Sequence, residues 1–299
     1  MNLFNNLVVA ALPLTPKPII AYFAKPYIAG ATLKEGAACV QRLNAEKTMA
    51  TMDVLGEDVF TREEAIAARE ECKKVLVEIA AQKLDSNISL KLTQLGLKID
   101  KSFCLANVDD IVAAAKSHGN FVRIDMEDRT TTDDTLEIFR AVKSKYDNVG
   151  IVIQAYLKRS EDDIRKLAAE KANVRLCKGI YVEPVDIAFK GRREIQQNYV
   201  HLLKILLEGG SYVGIATHDD VLISSARQIV TDLKLTPLQY EFQMLLGVRP
   251  ERRRELVAEG HRMRVYTPFG SHWYAYSTRR LKENPQMAGY VFKAIVGIR

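Results

Sequence analysis

A short β-rich run followed by a helical segment recurs eight times from about residue 48 onward, and no other sequence feature restricts the fold as much. The runs cover residues 49–55, 88–95, 121–126, 150–156, 174–180, 212–217, 238–242 and 263–266. Gly56 and Gly96 close the first two. Helix starts follow. Thr61 with Glu64 three residues on forms a capping box. Ser160 precedes Glu161, Asp162 and Asp163, acids that suit a first helical turn. Ala65, Ala68, Cys72, Val75, Leu76 and Ile79 recur at helical spacing and give the first of these helices one apolar face. After the eighth run a helix is predicted from about residue 271 to 283, stopped by Pro285.

Strands that alternate with helices argue for a parallel sheet. Eight such units at this length argue for an α/β fold of the (β/α)8 barrel type, with an open doubly wound sheet as the alternative. No G-x-G-x-x-G follows a run and no P-loop signature occurs, so a Rossmann dinucleotide site and a P-loop are not expected. The chain divides into an N-terminal helical arm, residues 1–47, and the barrel, residues 48–299. The first 30 residues are apolar and free of Asp and Glu, but Pro13, Pro16, Pro18 and Pro26 interrupt them, so no 20-residue spanning helix is expected. They lack the basic start of a signal peptide and the Arg and Ser of a transit peptide. Short helices packed on the barrel are the expectation, with an apolar surface that touches a membrane as the weaker one. Cys39, Cys72, Cys104 and Cys177 are widely spaced, with no C-x-x-C and no zinc-like cluster, which fits reduced thiols in a cytoplasmic protein. The formal charge of +6 is what a solvated surface produces, and nucleic-acid binding is not expected from it.

Polar side chains collect at the ends of the runs, where a barrel builds its site. Lys91 lies in the second, Asp125 ends the third, Gln154 the fourth, and Arg175 and Lys178 flank Leu176-Cys177 in the fifth. Thr217 and His218 end the sixth, Glu241 and Gln243 the seventh, and Tyr266 the eighth. Each has a structural reading: an ion pair for Lys91, a helix cap for Asp125, a satisfied core histidine for His218, loop bonds for Gln154, packing for Met126 and Ile180, exposed helix surface for Arg279 and Arg280. Their coincidence points instead to a site for a small zwitterion and a large polar cofactor. No nucleophile elbow occurs, and the five histidines are scattered, so neither a serine hydrolase nor a metal site is expected. Two lysines permit a Schiff base. Two adjacent arginines and a lysine suit a carboxylate. Redox chemistry requires a bound cofactor.

At these residues the chain resembles the proline dehydrogenase family. The resemblance rests on SLKLTQLG from Ser89, RIDME from Arg123, VIQAY from Val152, RLCKG from Arg175, ATH from Ala216, YEFQ from Tyr240, VYTPFG from Val265 and RRLKEN from Arg279. These segments fall in the family's order within about residues 49–293. The resemblance implies a (β/α)8 barrel that binds FAD at the strand C-termini and oxidises L-proline to Δ1-pyrroline-5-carboxylate. It implies a last helix over the barrel mouth, with Arg279, Arg280 and Lys91 on the substrate carboxylate and Arg280 paired to Glu283 as a closing layer. Tyr266 and Leu245 would pack on the substrate ring. Arg175 would donate near flavin N5, Asp125 would fix the polar network, and Met126 would touch the flavin. Gln154, Lys178, Gly179, Ile180, Thr217 and His218 would line the FAD. Asp219 departs from the asparagine common in the family after the histidine, which changes the donors at the adenine end. The resemblance further implies a single-function enzyme that delivers electrons to a membrane quinone through a peripheral contact at the inner face of the membrane. The competing readings are a barrel lyase or aldolase with Lys91 or Lys178 as its Schiff base, and a non-catalytic basic protein.

Overall fold

The structure is a computed structural model that describes residues 24–274 except residue 57, together with residues 20, 22, 276 and 277. Eight parallel strands close into a barrel in sequence order. They are β1 (Met49–Val54), β2 (Ser86–Leu90), β3 (Val122–Ile124), β4 (Val149–Gln154), β5 (Val174–Cys177), β6 (Val213–Ala216), β7 (Tyr240–Leu245) and β8 (Met263–Phe269). Helix α1 (Leu33–Ala45) precedes β1. Then α2 (Arg62–Ala81), α3 (Lys101–Ser117), α4 (Thr132–Lys143), α5 (Ser160–Ala169), α6 (Arg192–Glu208), α7 (Asp220–Asp232) and α8 (Pro250–Ala258) follow β1 to β7 in turn. The capping box at Thr61 and Glu64 is present, and a second one, Thr32 with Glu35, starts α1. The face predicted for α2 is buried at Ala65, Cys72, Val75, Leu76 and Ile79. The helix predicted after the eighth run is described only as far as Ser277.

The register decides what fills the barrel. Thr51 pairs with Asn87, Asp53 with Ser89, Ser89 with Arg123, and Arg123 with Gly150. Val152 pairs with Arg175, Arg175 with Gly214, Gly214 with Glu241, and Gln243 with Arg264. Paired residues of parallel strands share a face, so these polar groups stack on the inner side. The outer side carries Met52, Ile88, Leu90, Ile124, Ile151, Ile153, Leu176, Ile215, Phe242 and Val265, all buried under the helices. The apolar core is thus the annulus between strands and helices, whereas the lumen is charged. Most such barrels fill the lumen with branched apolar side chains. Gly150 serves this arrangement, because a Cβ there would lie 2.5 Å from the Arg123 guanidinium and 2.6 Å from the Asn173 carbonyl oxygen. That guanidinium spans the strand to donate to the Ile151 and Asn173 carbonyls.

Several boundaries differ from the sequence reading, and those of the second and seventh runs bear on the site. The second run extends to residue 95 in sequence, but β2 ends at Leu90 and residues 93–95 form a 3-10 turn. Gly96, at φ +93°, closes that turn in the left-handed region open to glycine. Lys91 therefore stands just beyond the strand. The seventh strand starts later and runs on to Leu245, and Leu238 is 74% exposed, because Thr236 and Gln239 build a polar turn before it. Glu241 consequently sits at the start of β7, not its end. It faces the opposite mouth, where Arg264 and the Tyr212 hydroxyl bond its carboxylate at 2.7 and 2.8 Å.

Candidate active site

Four charged side chains meet at the C-terminal end of the lumen. Asp53 is the fifth residue of β1, Lys91 and Asp125 directly follow β2 and β3, and Arg175 is the second residue of β5. Lys91 Nζ donates to Asp53 Oδ1 at 2.6 Å and to the Tyr266 hydroxyl at 3.2 Å, and lies 3.9 Å from Asp125 Oδ2. Arg175 Nη1 donates to Asp125 Oδ1 at 2.8 Å. Ser89 Oγ reaches the same oxygen at 2.5 Å, and the Tyr266 hydroxyl donates to Asp125 Oδ2 at 2.9 Å. The Arg175 guanidinium lies 5.1 Å from the Tyr266 ring centroid, in reach of a cation–π contact. Two carboxylates and two cations balance in a setting where an unpaired charge costs several kcal/mol.

The electrostatics follow from that packing. Burial pushes the Asp125 carboxyl toward the neutral form, but Arg175, Lys91 and the bonds from Ser89 and Tyr266 outweigh it and hold its pKa below the ordinary value. Burial also works against the Lys91 ammonium, yet Asp53 and Asp125 prevail and raise its pKa. Burial, then the Asp125 charge, moves the Tyr266 hydroxyl well above its usual range. At neutral pH the cluster is a fixed set of two ion pairs bridged by a neutral phenol.

A cleft of about 670 Å3 opens beside this cluster, within the roughly 300–1,000 Å3 usual for organic ligands. Met126, Val152, Ile180, Met244 and Leu245 give it apolar wall. Gln154 is 2% exposed and donates to the Glu127 carbonyl at 2.8 Å, while its Oε1 accepts the Ile180 N–H at 3.4 Å. Gly179 lies at φ +107°, and a Cβ there would sit 2.1 Å from the Tyr156 ring, so a backbone without a side chain borders the cleft after β5. Thr217 Oγ1 accepts the Asp219 N–H at 3.1 Å. His218 Nε2 accepts the Leu245 N–H at 2.9 Å, which requires an unprotonated Nε2. Cys177 borders the cleft too, but burial pushes its thiol up to about 11, so it is not a thiolate nucleophile.

The predicted residues Lys91, Asp125, Met126, Gln154, Arg175, Lys178, Gly179, Ile180, Thr217, His218, Leu245 and Tyr266 all line this one cleft. Arg279, Arg280 and Glu283 lie outside the described residues. Asp219 caps α7 through Oδ1, while Oδ2 takes Gln196 at 2.9 Å and Lys178 at 3.3 Å. The sequence reading missed Asp53 and Ser89. Asp53 carried the same signal as Asp125, a lone acid between Met52 and Val54 in a β-rich run. Among the described residues no group of His, Cys, Asp and Glu could hold a metal ion.

A family model described as proline dehydrogenase matches residues 37–292. The chain is 42% identical over 273 residues to Proline dehydrogenase 1 of Bacillus subtilis (strain 168), covering 91% of this chain and 90% of that protein. It is 34% identical over 278 residues to a proline dehydrogenase of Deinococcus radiodurans, covering 91% and 90%. Among solved structures it resembles proline utilization A from Bdellovibrio bacteriovorus inactivated by N-propargylglycine. The TM-score is 0.82 and the identity 27%, over 88% of this chain and 32% of that one.

Proposed function

The chain belongs to the proline dehydrogenase family, and on that premise we propose that the cleft holds FAD and oxidises L-proline to Δ1-pyrroline-5-carboxylate by hydride transfer. The observation that carries this reading is the Asp53–Lys91–Asp125–Arg175 cluster, bridged by Tyr266, on the wall of the 670 Å3 cleft. The cleft suits FAD. Gly179 leaves backbone open where a side chain would clash, and Lys178, Arg192 and Arg249 supply cations for a diphosphate. Met126, Gln154, Gly179, Ile180, Thr217 and His218 would hold it. Bound FAD supplies the two-electron acceptor that no side chain here can provide.

The protein's own residues bind and orient the substrate. The Lys91 ammonium has three N–H bonds, and Asp53 and the Tyr266 hydroxyl engage two. The third has no hydrogen-bond acceptor among the described residues and is available to a carboxylate in the cleft, where Arg279 and Arg280 would join it. Fixing the carboxylate fixes the ring carbon that is oxidised. Asp125 holds Arg175 at 2.8 Å, which keeps a guanidinium at the cleft wall where negative charge develops. Leu245 and the Tyr266 ring would close on the pyrrolidine carbons of the substrate.

The Schiff-base alternative fares worse. A lysine nucleophile must lose its proton, whereas the carboxylates around Lys91 retain it and Lys178 is paired to Asp219. Transfer of electrons to a membrane quinone remains part of the proposal, with the protein on the cytoplasmic side at the inner face of the membrane. Val182 and Val185, 97% and 69% exposed on the loop after β5, support a peripheral contact near the cleft. Among the described residues no helix is long and apolar enough to cross a membrane.

The test is the visible spectrum of the purified protein, followed by L-proline without oxygen. A flavin band that bleaches with L-proline and not with D-proline is expected. A flavin that stays oxidised would refute the substrate, and a colourless protein that takes up no added FAD would refute the cofactor.

A further inference from the structure

We propose that Asp53 is a positioning residue that keeps the Lys91 ammonium charged and aimed at the substrate carboxylate. This rests on the reading of the cleft as a proline site. Asp53 is 2% exposed near the end of β1, in register with Ser89 of β2 and Pro268 of β8. Its two oxygens are used unequally. Oδ1 accepts Lys91 Nζ at 2.6 Å, while Oδ2 is enclosed and has no hydrogen-bond partner among the described residues. Folding alone gains little from a carboxylate placed this way, because a buried acceptor left without a bond is unfavourable.

The two acids of the cluster differ in how their charge is shared. Asp125 serves Arg175 at 2.8 Å, Ser89 and Tyr266, and stands 3.9 Å from Lys91. Among the described residues Asp53 serves one cation. Coulomb energy falls as the inverse of distance, so Asp53 dominates the field at Lys91. The other groups around this ammonium do not replace it. Cys72 of α2 is neutral, since burial pushes its thiol up to about 12. Tyr266 of β8 is neutral too, and it has Tyr276 and Asp125 as further charged or titratable neighbours. Arg175 of β5 is committed to Asp125. Glu127, beyond β3, acts on Lys91 more weakly than either aspartate and bonds Thr93 instead. Burial, the largest influence on Lys91, favours the neutral amine. Without Asp53 that influence is opposed chiefly by a carboxylate already shared with Arg175, and the lysine pKa falls.

The experiment compares the holoenzyme with its Asp53→Asn variant across pH. In the unaltered enzyme kcat/KM for L-proline rises with pH to a plateau, as the substrate amine loses its proton. In Asp53→Asn the KM rises roughly ten- to hundredfold, the range expected for a lost charged hydrogen bond, and kcat falls less. The plateau becomes a bell, because Lys91 now deprotonates within the alkaline range. Asp53→Asn combined with Lys91→Arg restores the plateau, because a guanidinium stays charged throughout. A loss of the same factor at every pH, or an unchanged KM, overturns the proposal. Asp53→Glu retains the charge if the Asn variant does not fold. A plateau is expected from it, and a bell there also overturns the proposal. Failure of L-proline to bleach the flavin of the unaltered enzyme would instead refute the proline site itself, whatever the variants do.

Discussion

Replacing Asp125 by Asn removes one charge from the balanced four and gives the most direct test of how this lumen is held together. Asp125 is the only carboxylate paired to Arg175 among the described residues, and Arg175 is 7% exposed. Breaking a buried pair by removing one partner costs about 3–5 kcal/mol. The Asn amide oxygen can still accept from Tyr266 or Ser89, which recovers about 1 kcal/mol and places the loss near the lower limit, about 3 kcal/mol. For a domain of this size that corresponds to a Tm lower by about 6–12 °C. Thermal unfolding followed by circular dichroism reads it directly. The pH dependence has a definite sign. The folded pKa of Asp125 lies below the ordinary value, so its contribution is complete above that value and fades as pH falls through the depressed one. The Tm difference between native and variant should therefore hold above about pH 5 and narrow in stronger acid. A second substitution, Arg175→Met, should cost less in the Asp125→Asn background than alone, since the variant has no charge left to pair. A Tm within 2 °C of native at pH 7, or a difference that widens in acid, would refute the assignment of Asp125 as the ionised counter-charge.

Other expected outcomes are simpler to state. Gly179→Ala should purify with little or no flavin, because its Cβ meets the Tyr156 ring at 2.1 Å and φ is +107°; full flavin absorbance would remove Gly179 from the cofactor wall. Glu241→Gln should lower stability by about 3 kcal/mol, by leaving Arg264 without its carboxylate, while KM for L-proline is unchanged; the reverse pattern would place Glu241 at the active mouth after all. L-Proline should be preferred over 4-hydroxyproline, because the Tyr266 ring is pinned by its hydroxyl, which donates to Asp125 and accepts from Lys91; equal kcat/KM on both would count against it. The rise of kcat/KM between pH 6 and 9 should be visible in steady-state assays, and a flat profile would count against hydride transfer from the neutral-amine form of the substrate.

The barrel was legible because it is periodic. Eight strand–helix units leave few closed topologies, and capping signals such as Thr61 with Glu64 mark where each helix must begin. What was not legible is the ending of individual strands. Leu92 and Leu95 extend the apolar run of β2, yet both are buried in the 3-10 turn and its cap, which follow Lys91 at the mouth. Composition cannot separate a leucine in a strand from one in a turn packed on α3. Glu241 was misplaced for a related reason. A strand's polar residues identify its inner face but not which end of the barrel they approach, and that follows only from the start of β7 at Tyr240.

The site was more legible than the strand boundaries, and the cause is the charged lumen. A strand buried on both faces of a parallel sheet ordinarily reads as a continuous apolar run. Here MATMDV, VRID and EFQML alternate, because the outer residues meet helices and the inner ones meet each other. Charged residues on the inner period therefore have to be answered from neighbouring strands and loops: Arg123 by the Ile151 and Asn173 carbonyls, Glu241 by Arg264 at one mouth, and Asp125 by Arg175 and Asp53 by Lys91 at the other. The pairs at the two mouths differ in one respect. At the Glu241 mouth the carboxylate is saturated, bonded by Arg264, Tyr212 and Gln243. At the other, among the described residues, Asp53 retains an unbonded oxygen and Lys91 an unused N–H. Saturated pairs hold a barrel closed. Unsaturated ones at the strand C-termini, lining a cleft, are where the same electrostatics can be turned toward a zwitterionic substrate.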